Sequence, residues 1–144
     1  LDWHLLEQGP YHVGLQRFVQ ALNWVYGSEP ALHDRDFDAQ GFQWVDCNDS
    51  ENSVVSFLRK ARDPREYLVV LLNFTPVPRE GYRIGVPEAG FYAEILNSDS
   101  RYFGGEDVGN GGGVHTEPVP SHGWEQSLRL TLPPLACLFL KIRR

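Results

Sequence analysis

Between His12 and Tyr26 the apolar positions Leu15, Phe18, Val19, Leu22 and Val25 or Tyr26 recur at i, i+3, i+4, i+7 and i+10/11. That period predicts one amphipathic helix with a single apolar stripe. Gly27 and Ser28 follow as a stop signal, and Pro30 is placed to begin a short further turn, PALHD. A helix of this length needs a partner surface to bury its stripe.

From Phe42 onward the period changes to two. Strands are predicted at FQWVD (42–46), NSVVSFLRKA (52–61), EYLVVLLNF (66–74), GYRIGV (81–86), FYAEILN (91–97), SLRLTL (127–132) and LACLFLKI (135–142), with GGVHTEPV a weaker eighth. ARDPRE, TPVPREG, PEAG and LPPL punctuate them. Short strands without intervening helices predict an all-β, antiparallel sandwich. SLRLTL alternates and predicts one wet face, whereas LVVLL predicts burial on both. The change of texture falls in HDRDFDAQ, so the expected division is a helical segment over 1–34 and a β-sandwich over 35–144.

Composition narrows the function classes. The chain has 144 residues, 42% of them hydrophobic and 22% charged, enough for one domain with a core. The net charge of −6, with only Lys60 and Lys141 beside the arginines, provides no basic stripe for nucleic acid. No apolar run is long enough to span a membrane. Cys137 lies in the apolar LACLFLKI and reads as a small core residue, and Cys47 reads as a free thiol. With no leader at the start, a reducing, cytoplasmic compartment is expected. Methionine is absent even at position 1, so the chain reads as a piece of a longer protein.

Several stretches invite a chemical reading. RYFGGEDVGNGGGVHTEPVP (101–120) is dense in glycine, but no lysine or arginine lies between Tyr102 and His122, and Glu106 and Asp107 repel anions. A phosphate loop needs a cation and a following helix, so a long connection between strands is expected. DCNDSEN (46–52) places Asp46, Asn48 and Ser50 like calcium ligands, yet Glu51 stands where the tight turn needs glycine and Phe57 where a bidentate Glu belongs. The five histidines show no metal spacing, and no cofactor is implied. There is no GxSxG elbow, and nothing singles out a carboxylate pair among the acids. Asn48-Asp49-Ser50 and Asn73-Phe74-Thr75 match the glycosylation sequon and are read as chance. Trp44, Phe57 and Phe139 belong to strand patterns and are expected in the core. Tyr102, Phe103 and Trp124 lie on or beside loops, and Tyr102 and Trp124 are the candidate sugar-stacking rings.

Asp2-Trp3-His4-Leu5-Leu6, His12-Val13-Gly14, Leu22-Asn23-Trp24-Val25-Tyr26, Pro30-Ala31-Leu32 and Gly41-Phe42-Gln43-Trp44 occur in order. With SVVSFLRK (53–60), NFTPVPREGYRIGVP (73–87), ILNSDSRYFGGEDVGNGG (95–112), EPVPSHG (117–123) and SLRLTLPPLACLFLK (127–141), this series resembles the C-terminal region of bacterial glycogen branching enzymes, of the α-amylase superfamily. The resemblance implies that residues 1–34 end a catalytic (β/α)8 barrel and that residues 35–144 form its C-terminal sandwich, of Greek-key type. It also implies a parent that moves α-1,4-glucan segments into α-1,6 branches through a retaining Asp nucleophile and a Glu acid/base. A whole barrel takes roughly 250 residues, so those acids are expected upstream and no catalytic residue is assigned here. The implied partners are that barrel and α-glucan. A structural domain, a carbohydrate-binding module and an enzyme in its own right remain the alternatives, the last the least favoured.

Overall fold

The computed structural model describes residues 2–144; Leu1, the first residue of the expected helical segment, lies outside them. A 3-10 turn, Trp3–Glu7, leads into α1 (Pro10–Ser28) and the single turn α2 (Pro30–His33). Pro10 occupies the first turn of α1, where its missing N–H costs nothing. The helix runs through Gly27, the expected stop, and ends before Pro30, which disfavours a helical residue ahead of it.

Eight strands follow: β1 (Phe42–Asp49), β2 (Val54–Lys60), β3 (Tyr67–Asn73), β4 (Arg79–Val86), β5 (Phe91–Asn97), β6 (Gly113–His115), β7 (Gln126–Leu132) and β8 (Ala136–Arg143). They form a six-stranded sheet in the order β1-β2-β3-β8-β5-β6 and a two-stranded sheet β4-β7, with antiparallel pairing throughout. The expected antiparallel sandwich therefore forms, with every predicted strand present. β8 closes the large sheet by entering between β3 and β5.

Alternation along the strands builds the core. Leu128, Leu130 and Leu132 of β7 are buried while Arg129 stays exposed, as the pattern required. They meet Ile84 and Val86 of β4, Val54 and Leu58 of β2, Val69 and Leu71 of β3, and Leu138 and Leu140 of β8. Each such side chain removed from water contributes about 1.5–3 kcal/mol before entropy is counted. Within this core the Tyr67 and Tyr92 hydroxyls bond at 2.7 Å, and Tyr92 also donates to the Glu88 carbonyl at 3.0 Å. Burial, then the bond it donates to Tyr92, pushes the Tyr67 phenol far above its ordinary value.

β3 is buried on both faces. Leu68, fully enclosed, lies under Val25, Ala31 and Leu32, with Ile95 and Phe139 beside them. Lys141 ties the helical segment down through Glu29 at 2.7 Å and also pairs with Glu66, just ahead of β3, at 3.0 Å. Burial acts to lower the Lys141 ammonium, but its two carboxylate partners outweigh that and raise it.

Two expectations are corrected. The α1 stripe divides: Phe18 and Val25 turn toward the sandwich, while Leu15 (62% exposed), Val19 and Tyr26 face away from it. Trp44 is 51% exposed and not in the core. It stands edge-on to Phe42 at 4.8 Å and to Phe57 at 5.9 Å on the edge strand β1. Phe57 and Phe139 are half-buried.

Candidate carbohydrate-contacting clefts

The glycine loop after β5 is organised by its own acids and amides. Asn97 donates to the Val108 carbonyl at 2.9 Å. The Asp99 carboxylate accepts from the Val108 N–H at 3.0 Å, and Asp107 accepts from the Arg101 N–H at 2.6 Å. Asn110 reaches β7, accepting from the Thr131 N–H at 2.8 Å and donating to Glu94 at 2.9 Å. A Cβ at Gly105 would lie 2.1 Å from the Asp99 carbonyl oxygen, so only glycine lets the loop close there. Amides that a phosphate would need are thus already bonded to carboxylates. A connection, as expected, is what the loop provides.

Ser100 accepts from the Tyr102 N–H at 3.3 Å and caps a 3-10 turn, Arg101–Phe103, that carries two rings. Phe103 is half-buried and meets Phe18 edge-on at 5.4 Å. Tyr102 is 61% exposed, with the Arg17 guanidinium 5.0 Å over its ring. Tyr102 borders a groove of about 460 Å3 between this loop and α1. Trp24, 72% exposed, belongs to the same groove, as do Glu94, Ser100, Asp107 and Asn110.

Trp124 lies elsewhere. It packs half-buried against the core and lines a separate cleft of about 680 Å3 with Phe42, Gln43, Lys60 and Pro87. The turn that carries it is pinned by His122, whose Nδ1 accepts from the Gly85 N–H and sits 3.0 Å from the Ser121 hydroxyl. An N–H pointing into Nδ1 leaves the proton on Nε2, which lies 3.4 Å from Asp46. The two ring residues singled out in the sequence are therefore not brought together.

Asp46 also accepts from the Asn48 N–H at 2.8 Å, and Asp49 bonds Asn52 and, at 2.8 Å, the Tyr82 hydroxyl. The calcium-like stretch is the end of β1 and the turn after it, its carboxylates occupied by these bonds. Burial acts to raise the Asp49 carboxyl, but the Asn52 and Tyr82 bonds hold it below its usual range. Burial, then the bond to Asp49, raises the Tyr82 phenol. Among the described residues no three His, Cys, Asp or Glu side chains converge as a metal site. Among the described residues no helix is long and apolar enough to cross a membrane. Cys47 is exposed and Cys137 half-buried, both as free thiols. Asn73 is 3% exposed and donates to the Val77 and Pro133 carbonyls at 2.9 Å, so its sequon is a structural turn.

Trp24 escaped the sequence reading because it falls off the helical stripe. A tryptophan on the polar flank of an amphipathic helix was the available signal.

The two antiparallel sheets define an all-β sandwich domain. Residues 44–143 match the family described as "Alpha amylase, C-terminal all-beta domain", and the chain belongs to it. The chain is also 54% identical over 144 residues to the 1,4-alpha-glucan branching enzyme GlgB of Paramagnetospirillum magneticum, covering 99% of this chain and 19% of that protein. It is 57% identical over 140 residues to the GlgB of Aromatoleum aromaticum (97% of this chain, 22% of that one) and 52% identical over 141 residues to the GlgB of Aquifex aeolicus (98% and 22%). The chain thus spans about a fifth of the length of the curated relatives it matches.

Proposed function

We propose that this chain is the C-terminal part of a glycogen branching enzyme and that its role is to pack on and stabilise the catalytic (β/α)8 barrel. The similarity over 97–99% of the chain to branching enzymes carries the reading. The outward flank of α1 supports the packing role. Leu15 and Val19, one turn apart, are exposed apolar side chains that the sandwich does not cover, with Tyr26 beyond them bonded to Asp36.

In this reading the preceding segment holds the chemistry. Its Asp attacks the anomeric carbon of an α-1,4-linked glucan, and its Glu protonates the departing 4-oxygen. A covalent glycosyl-enzyme forms. The same Glu then accepts the proton of an incoming 6-hydroxyl as that oxygen displaces the Asp and makes the α-1,6 branch. This chain contributes no acid, base or nucleophile and turns over no glucan by itself. A cytoplasmic location goes with the two free thiols. A second role, direct contact with α-glucan, is favoured by the ring-walled groove at Trp24 and Tyr102.

The test compares the barrel-bearing enzyme with versions lacking residues 35–144 or carrying Leu15→Glu with Val19→Glu. Both changes should lower its melting temperature and branching activity, and the 144-residue chain alone should leave the iodine stain of amylose unchanged. A truncated barrel of full stability and activity, or turnover by the chain alone, refutes the proposal.

A further inference from the structure

We infer that the groove between α1 and the glycine loop is a glucan-holding subsite, bordered by the aromatic side chains of Trp24 and Tyr102, for an α-1,4-linked chain. The ligand class rests on the branching-enzyme reading; the site itself rests on geometry. Two aromatic side chains, 72% and 61% exposed, border one groove of about 460 Å3. Two such rings on one groove offer apolar surface that the apolar face of a pyranose ring complements.

The polar lining is rich in hydrogen-bonding groups and holds no cation of its own. Glu94 and Asp107 belong to the groove, no lysine, arginine or histidine lines it, and Arg101 pairs with Asp107 from beside it at 3.5 Å. A neutral polyhydroxylated chain donates to carboxylates and amides. Ser100 accepts from the Tyr102 N–H and keeps its own proton to donate. Gly111 and Gly112 add no side chains, and the space beside each is open. Tyr102 is held in place: Arg17 lies over its ring, and Phe103 meets it edge-on at 5.4 Å.

At about 100° per residue, Arg17 and Trp24 fall on one flank of α1, while Leu15, Val19 and Tyr26 fall on the other. Barrel packing through the second flank therefore leaves the first available. The Trp124 cleft is the weaker host, because its ring is half-buried against the core and Lys60 there is already bonded to Gln43.

Calorimetric titration of maltoheptaose into the 144-residue chain, with cellohexaose as the β-linked comparison, tests the site. Binding should be seen for maltoheptaose and weaken about tenfold or more in Trp24→Ala and in Tyr102→Ala. It should be largely kept in Tyr102→Phe and unchanged in Trp124→Ala. Trp24 and Tyr102 are exposed, so folding should survive, checked by near-ultraviolet circular dichroism. No heat at about 10 mM maltoheptaose, far above a useful affinity, overturns the inference. So does loss confined to Trp124→Ala, or equal binding of cellohexaose. The packing proposal fails or stands on the activity of the barrel-bearing enzyme, so the two failures are distinguishable.

Discussion

Gly14 of α1 rests on the backbone of Phe103 in the glycine loop, so closely that a Cβ there would lie 2.1 Å from the Phe103 carbonyl oxygen. Two stretches far apart in sequence thus meet at a point where only hydrogen fits, and Phe18 completes the contact edge-on to the Phe103 ring.

Gly14→Ala sets helix propensity against that contact. Alanine gains about 1 kcal/mol in a helix interior, whereas displacing packed backbone costs about 1–3 kcal/mol or more. We expect a net loss of stability on urea unfolding. Gly27→Ala, in the same helix with nothing within 4 Å, should gain stability. Equal effects of the two substitutions would refute the tight contact.

Ser56 is fully enclosed in β2, and its hydroxyl has no partner. Removing an unsatisfied buried hydroxyl recovers its desolvation cost, about 1 kcal/mol. Ser56→Ala should therefore be neutral or stabilising in the same measurement, and a clear loss would reveal a bonded hydroxyl.

Asn73 bridges the end of β3 to the Val77 and Pro133 carbonyls and accepts from the Thr75 N–H at 3.0 Å. Asn73→Ala strands three backbone groups at a buried site, and we expect a loss of about 2–4 kcal/mol. In a glycosylating host, mass spectrometry should find Asn73 unmodified.

Asp49 predicts an acid limb. Its folded carboxyl is held below the ordinary range, so its stabilisation is present above the unfolded value near about 3.9 and is lost as pH falls through the lower folded value. Asp49→Asn should reduce stability at neutral pH yet flatten its decline in acid. Parallel urea titrations at about pH 6 and about pH 3 compare the two proteins across that window. Unchanged acid sensitivity would remove Asp49 from the account.

Strand positions were legible because period two and Gly/Pro punctuation are local properties, as β7 shows through Leu128, Arg129 and Leu130. Which face is buried is a tertiary matter. Trp44 and Phe42 share a face, but on the edge strand β1 that face stays open. The α1 stripe was wide enough to serve two surfaces, so periodicity merged Phe18 and Val25 with Leu15 and Val19. The entry of β8 between β3 and β5, and the meeting of Trp24 with Tyr102 across a groove, depend on long-range pairing that spacing does not encode. Tyr102 was found because it sits on a loop; Trp24 was hidden inside a helix.

Leu68 of β3, sealed under Val25, Ala31 and Leu32, has a consequence for how this module can be transplanted. A graft beginning at β1 would carry an oily window in its larger sheet and invite self-association. A graft that keeps Leu68 covered therefore has to carry α1 and α2 along with the strands.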